Sequence, residues 1–184
     1  MAADDRQELS QLLRAIDFAE QAHRYQVDKG GEPYLFHCLR VGISLLPDVD
    51  AAVIGVLHDV LEDTSWDPRE SKSLGLSRQQ TEALNLLGRH PFISPPSRRP
   101  PAYHAYIVRL SAHPLARKVK IADLQDNLDP RRLALAEQWL VERGLNGKRQ
   151  TRARVARYQA ALAQLEAVPA APPTPLRKNS PFFC

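Results

Sequence analysis

One stretch of this chain limits its possible structures more than any other, because it carries four ionisable side chains in six positions directly after the apolar run Ala51–Leu57. These side chains are His58, Asp59, Glu62 and Asp63. On a continuous helix, residues four apart share a face, so His58 is expected over Glu62. Three carboxylates and an imidazole resist burial unless a cation or specific hydrogen bonds compensate. A divalent metal ion explains the pattern most simply, and capping or solvation of the acids at a helix end is the alternative.

Length and composition indicate one domain. The 184 residues suffice for one core, and the hydrophobic share of 43% and charged share of 25% are ordinary for a globular protein. The formal net charge is +4, and the basic residues concentrate in the middle and towards the end of the chain. Such a surplus suits a phosphorylated partner, although a solvated helix face explains residues 148–157 better. Nucleic acid is an unlikely partner on this pattern.

The cysteines and the amino terminus point to a reducing compartment. Cys38 and Cys184 are far apart and form no CxxC pair, which argues against a disulfide framework and a thiolate zinc site. The first residues are acidic and polar, unlike a signal peptide, and no apolar run approaches about 18 residues. We therefore expect a cytoplasmic protein that does not enter a membrane.

Apolar residues recur at spacings of three and four, which predicts an all-α fold without strands or internal repeats. Helices are predicted over residues 9–25, 34–46, 51–63, 77–87, 103–110, 114–128, 133–141 and 151–165. Asp50 is the predicted N-cap of the third helix, and Ser77 with Gln80 resembles a capping box.

Two proline-rich segments interrupt or end this helical pattern. Residues 89–101 contain five prolines and three arginines, which predicts a long mid-chain loop that is either a lid or disordered. Residues 168–184 contain five prolines and predict a disordered tail. The expected folded domain therefore covers residues 1–167.

Candidate metal ligands lie on three predicted helices. Residues 34–46 and 51–57 are separated by a short turn and should pack antiparallel, which brings His37 and His58 to the same end of the pair. Asp59 follows His58 directly, and Asp123 lies on a later helix. Two imidazoles and two carboxylates suit a divalent ion such as Mn²⁺, Fe²⁺ or Zn²⁺, with positions left for water and substrate.

These four residues resemble the H…HD…D pattern of the HD superfamily of metal-dependent phosphohydrolases. The longer strings at Gly31–His37, Leu57–Thr64 and Val119–Asn127 are similar to the hydrolase domain of the RelA/SpoT family, especially its small alarmone hydrolases. The three strings occur in the family's order and lie within about residues 15 to 130. Each string alone is a modest signal, whereas the ordered set is specific.

The resemblance implies an all-α HD-domain bundle that uses Mn²⁺ to remove the 3′-pyrophosphate from guanosine 3′,5′-bis(diphosphate). It implies that the metal is held by His37, His58, Asp59 and Asp123. It also implies that Glu62 and Asp63 orient and deprotonate the attacking water, and that Lys29 and Asn127 contact the nucleotide. Arg24 is a further candidate, because its position at the end of the first helix could bring it to a phosphate.

One departure from the family pattern leaves the substrate open. The family usually has a basic residue before Lys29, where this chain has Asp28, an unfavourable neighbour for a polyphosphate. Another nucleotide is therefore an alternative substrate, and a non-catalytic nucleotide-binding domain is a third interpretation. The sequence contains Glu62 and Asp63 together with all four predicted metal ligands, which argues against the third interpretation. Cys38 is expected to be a buried core thiol, and the pattern does not define an oligomeric state.

Overall fold

The computed structural model describes residues 3–63, 73–88 and 103–169, and nearly all of these residues are helical or in short turns. The helices are α1 (Ala3–His23), α2 (Tyr34–Ser44), α3 (Val49–Leu57), α4 (Val60–Asp63), α5 (Arg78–Leu87), α6 (Tyr103–Ser111), α7 (Pro114–Asn127), α8 (Pro130–Glu142) and α9 (Gly147–Glu166). The only strand-like pairing among the described residues is an isolated antiparallel bridge between Val27 and Pro33. The predicted all-α fold is confirmed.

The boundaries differ from the prediction at several helix ends, with α1 beginning at Ala3 rather than residue 9 and α9 at Gly147 rather than residue 151, and the difference around the motif affects the site. Asp48, rather than Asp50, caps α3, because its side chain accepts a hydrogen bond from the backbone N–H of Ala51. The helix ends at Leu57, and a turn at His58 and Asp59 separates α3 from α4. The prediction of one continuous helix through the motif was therefore wrong.

Two predictions about helix ends are correct in detail. The capping box of α5 has both of its hydrogen bonds, from the backbone of Gln80 to Ser77 Oγ and from the backbone of Ser77 to Gln80 Oε1. Pro114 occupies the first turn of α7, where its missing N–H costs nothing. These local patterns depend on a few neighbouring residues, so the sequence displays them directly.

The core is arranged around α3, whose residues are all buried except Asp50. α1, α2, α5 and α7 pack around this helix. A helix that is apolar on every side, and not only along one stripe, is expected to be fully buried. The result is that the polar turn at the end of α3 emerges from the most apolar element of the protein.

α2 and α3 cross at two glycines with almost no space between their backbones. A Cβ at Gly55 would lie 3.0 Å from Gly42 Cα, and a Cβ at Gly42 would lie 2.5 Å from Val56 Cγ2. Larger side chains would push the helices apart. Because His37 lies five residues before Gly42 and His58 lies three residues after Gly55, this crossing sets the distance between the two imidazoles.

The proline-rich loop at 89–101 and almost all of the predicted tail at 168–184 lie outside the described residues. These two predictions, and the domain boundary at residue 167, remain predictions. None of the described helices is both long enough and apolar enough to cross a membrane.

We predict that Gly42→Ala lowers the free energy of unfolding by about 1–3 kcal/mol, because the added methyl group overpacks the crossing. Helix propensity alone would favour the change by about 1 kcal/mol, so a net loss isolates the steric effect. Urea unfolding measures the difference. Ile43→Ala, at the exposed neighbouring position on the same helix, is the control and should have a smaller effect. Equal or greater stability of Gly42→Ala would contradict the tight crossing.

Candidate metal centre and the cavity around it

Four predicted ligands converge from three parts of the fold. His37 lies in the first turns of α2, His58 and Asp59 form the turn after α3, and Asp123 lies in α7. His37 Nε2 is 3.2 Å from Asp123 Oδ1 and 3.5 Å from Asp59 Oδ2. His58 Nε2 is 3.0 Å from Asp59 Oδ2 and 3.5 Å from Asp123 Oδ1. The structure therefore brings the ligand atoms of His37, His58 and Asp59 within 4.8 Å of one another and places Asp123 Oδ1 within 3.5 Å of both imidazoles.

These separations fit a shared metal ion. Ligand atoms held about 2.1 Å from one ion at tetrahedral to octahedral angles lie about 3.0–3.4 Å apart. His58 Nε2 is buried and makes no hydrogen bond of regular geometry in the described part of the chain, although it lies 3.0 Å from Asp59 Oδ2. The donor set and the position of this nitrogen both fit a divalent cation.

Both imidazoles are oriented so that Nε2 points into the centre. His58 Nδ1 lies 2.7 Å from the carbonyl oxygen of Gly55, and His37 Nδ1 lies 2.6 Å from Asp126 Oδ2. Donation from each Nδ1–H to these acceptors leaves the Nε2 lone pair for a metal. This is the usual way in which a protein fixes the tautomer of a ligating histidine.

The two carboxylates are also held in place by neighbouring donors. Tyr34 donates its hydroxyl to Asp59 Oδ2 at 2.7 Å. Asp123 accepts from Asn127 Nδ2 at 2.5 Å through Oδ1 and pairs with Lys120 Nζ at 2.6 Å through Oδ2. These contacts fix the orientation of both carboxylates.

The charges at this centre shift the pKa values of its members in opposite directions. Burial alone would lower the pKa of His58, but Asp59 and Asp123 outweigh burial and raise it to about 9. Burial also lowers the pKa of His37. Hydrogen bonds to carboxylates, the largest contribution coming from Asp123, outweigh burial and raise this pKa well above its usual range. The pKa of Asp123 is held well below its usual range, because Lys120 and the imidazoles outweigh burial.

The metal centre forms part of the wall of a cavity of about 440 Å³. Lys29 and Asn127, two predicted nucleotide contacts, line this cavity. Arg24 is not among the lining residues that the structure describes. Its exposed guanidinium instead donates to Glu20 at 2.8 Å on the same helix. The structure therefore brings two of the three predicted substrate residues to the cavity.

Asp28 also lines the cavity, but its carboxylate has partners within the protein. Oδ1 accepts from the backbone N–H groups of Gly30 at 2.8 Å and Glu32 at 3.1 Å, and Oδ2 pairs with Arg132 Nη2 at 2.9 Å. Burial raises the pKa of Asp28, and the Arg132 hydrogen bond and the two amides outweigh burial and lower it. The sequence suggested that the negative charge of Asp28 would repel a polyphosphate. In the structure Arg132 balances this charge.

The backbone of Glu62 and Asp63 lies in α4, directly after the ligand pair. Their side chains lie outside the described residues, so their proposed catalytic role remains a prediction. The sequence predicted that His58 and Glu62 share a face of one continuous helix. This is wrong, because α3 ends at Leu57 and a new helix begins at Val60.

Several cavity and support residues were not predicted. They are Tyr34, Lys120, Asp126, Arg132, Arg154 and Tyr158. A weak signal existed for Asp126, which lies one turn after Asp123 on the same predicted helix. Arg132, Arg154 and Tyr158 come from α8 and α9, and no local pattern relates these helices to the motif.

The chain is similar in sequence to known enzymes over part of its length. It is 39% identical over 69 residues to a guanosine-3′,5′-bis(diphosphate) 3′-pyrophosphohydrolase of Borreliella burgdorferi, covering 36% of this chain and 10% of that protein. It is 30% identical over 127 residues to the protein of the same name from Aquifex aeolicus, covering 66% of this chain and 18% of that protein. The chain thus spans less than a fifth of these relatives. No protein-family model matches it.

A solved structure has the same fold. It is described as a metazoan ortholog of SpoT that hydrolyzes ppGpp and plays a role in starvation responses. The TM-score is 0.54 at 20% identity, and the match covers 84% of this chain and 93% of the other. This match confirms the fold, and the sequence relatives confirm the resemblance that the three sequence strings indicated.

We predict that the purified protein binds about one divalent ion per chain and that His58→Ala abolishes this binding. Removing one ligand leaves the others as uncompensated buried polar groups. Elemental analysis after gel filtration measures the stoichiometry. His104→Ala, at an exposed histidine in α6, is the control and should retain the ion. Full metal content in His58→Ala would show that the site is elsewhere.

We also predict that metal affinity rises with pH between about pH 6 and 9. The carboxylates raise the pKa of His58 to about 9 in the metal-free protein, so the ion must displace a proton below that pH. Below that pH the deprotonated fraction of the imidazole falls about tenfold for each pH unit, which weakens binding. Calorimetry in buffers of different ionisation enthalpy measures both affinity and proton release. A constant affinity over this range would contradict the assigned ligands.

Proposed function

We propose that this chain, a relative of the RelA/SpoT-type HD hydrolases, is a metal-dependent phosphohydrolase that removes the 3′-pyrophosphate from guanosine 3′,5′-bis(diphosphate). The observation that carries the proposal is the convergence of His37, His58, Asp59 and Asp123, all of which except His58 line the cavity. The names of the sequence relatives support the choice of substrate.

Mn²⁺, or another divalent first-row ion, suits two imidazole nitrogens and two carboxylate oxygens. When bound, the ion supplies Lewis-acid activation of a phosphoryl oxygen and of the attacking water. The chain's part is to hold four ligand atoms at fixed separations, which Tyr34 and Asn127 support by hydrogen bonds to the carboxylates. A ligand set held in this way needs little rearrangement when the ion binds.

In this proposal Glu62 and Asp63 handle the proton of the attacking water. Their backbone lies in α4, three and four residues after Asp59, and this proximity along the chain supports the assignment. A carboxylate in a site that excludes water can have its pKa raised towards neutrality, which makes it an effective general base. This assignment depends on the resemblance and on the position of the backbone.

The remaining cavity residues suit a polyanionic nucleotide. Lys29 and Arg154 line the cavity with cationic side chains, Asn127 offers an amide, and Tyr158 offers an aromatic ring. Charged and amide donors bind phosphate oxygens, and an aromatic ring can stack on a base. Arg24 would join this set only after releasing Glu20.

The proposal is tested by incubating the Mn²⁺-loaded protein with guanosine 3′,5′-bis(diphosphate) and measuring released pyrophosphate. Guanosine tri- and diphosphate, which lack the 3′-pyrophosphate, are matched controls for 5′ cleavage. We expect pyrophosphate from the first compound and little product from the controls. Cleavage of another nucleotide with none of the bis(diphosphate) would assign a different substrate, and binding without any turnover would indicate a non-catalytic domain.

For the proton-transfer assignment we predict that Glu62→Gln lowers kcat by about 10²-fold or more and leaves the metal content near that of the wild type. The amide keeps the shape of the side chain but cannot accept the proton. Steady-state kinetics and elemental analysis measure the two quantities. Glu82→Gln, at an exposed glutamate of α5, is the matched control and should be active. Unchanged turnover in Glu62→Gln would move the proton-accepting role to another group.

A further inference from the structure

Arg132, in the first turn of α8, connects two parts of the cavity that are far apart in the sequence. Its Nη1 donates to Asp126 Oδ2, and its Nη2 pairs with Asp28 Oδ2 at 2.9 Å. The side chain is only 14% exposed, so both ion pairs are largely shielded from water. A guanidinium is suited to this role, because its planar fork can donate to two acceptors at fixed positions.

One arm of this fork acts on a predicted metal ligand. Asp126 Oδ2 lies 2.6 Å from His37 Nδ1, and Asp126 Oδ1 accepts from Arg40 Nε at 2.8 Å. Arg132 Nη1 lies 3.2 Å from His37 Nδ1, as expected when both atoms donate to the same carboxylate oxygen. Arg132 therefore helps to fix the carboxylate that determines which nitrogen of His37 faces the metal centre.

The other arm acts on the loop between α1 and α2. Asp28 Oδ1 accepts hydrogen bonds from the backbone N–H groups of Gly30 and Glu32, and these bonds close the loop around Lys29. The bridge between Val27 and Pro33 closes the same loop one residue further out. Arg132 holds the second oxygen of Asp28 and so prevents the carboxylate from turning away from these amides.

We propose that Arg132 is a positioning residue that aligns the metal ligand His37 and the cavity loop containing Lys29 through one guanidinium fork. This inference rests on the proposed function, in which His37 holds the ion and Lys29 contacts phosphate. It assigns no contact between Arg132 and substrate. Its consequence is that the geometry of the metal site and that of the loop depend on the same side chain.

The substitution Arg132→Lys tests the fork itself, because it keeps the positive charge and removes the second planar donor arm. We expect Mn²⁺ affinity, measured by calorimetry, to fall about 10- to 100-fold, as is typical when the support of a ligating histidine is lost. We also expect the amide hydrogens of Gly30 and Glu32 to exchange with solvent at least about 10-fold faster. Arg131→Lys, at the exposed adjacent position, is the matched control and should change neither.

Two measurements on the metal-free protein separate this inference from the proposed function. Nitrogen-15 spectra report the tautomer and hydrogen bonding of His37, and hydrogen exchange reports the order of the loop. If the wild type fails to bind Mn²⁺, the proposed metal-dependent function is overturned, whereas the positioning role is judged by these two signals. An unchanged imidazole signal or unchanged exchange in Arg132→Lys would overturn the inference, because the proposal requires both to depend on this side chain.

Asp28→Asn provides a second variant in case Arg132→Lys does not fold. It keeps an oxygen that can accept from the two amides and removes the charge that pairs with Arg132. We expect faster exchange at Gly30 and Glu32 and a smaller change at His37, because the Asp126 arm remains. Exchange equal to that of the wild type would show that the pair with Arg132 does not hold the loop.

Discussion

The distance between α2 and α3 at Gly42 and Gly55 limits what the rest of the structure can do. At this crossing the two backbones are in contact, so neither helix can slide or rotate without a clash. His37 and His58 extend from the same end of the pair, and their ring centroids are 5.1 Å apart. Rigid helices position such groups more accurately than loops do. The metal centre therefore depends on two residues that contribute no functional group.

Charge balance is the second constraint, because the acids at the centre are largely shielded from water. Asp123 is paired with Lys120, and Asp126 and Asp28 are paired with Arg132. Breaking a buried ion pair by removing one partner costs far more than the pair contributes to stability. The cluster is therefore better explained by the positions that it fixes than by the stability that it adds. The carboxylates of Asp59 and Asp123 raise the pKa of His58 to about 9, so in the metal-free protein its protonated imidazole carries part of the compensating charge at neutral pH.

The sequence predicted the elements of this site better than the connections between them. Periodicity located the helices, and the three motif strings identified His37, His58, Asp59 and Asp123, because ligand types at characteristic spacings are a local signal. The turn at His58 and Asp59 was missed, because an apolar run followed by acids has the same sequence pattern whether or not a turn interrupts the helix. The partners of Asp28 were also missed. Arg132 lies 104 residues away, and only the packing of α8 brings it to the loop.

The same charge count indicates how metal and nucleotide binding would affect each other under the proposed function. The carboxylates of the cluster belong to Asp28, Asp59, Asp123 and Asp126, and its basic side chains are Arg40, Lys120 and Arg132. With both imidazoles neutral, four negative and three positive groups leave a formal charge of −1. Protons on both imidazoles, whose pKa values the carboxylates raise, bring this charge to +1 in the metal-free protein, and a divalent ion that displaces both protons gives the same +1. At close range such a charge attracts a polyanion with limited screening. Under the proposed function, the ion and the imidazole protons are therefore alternative sources of the positive charge that a polyphosphate requires.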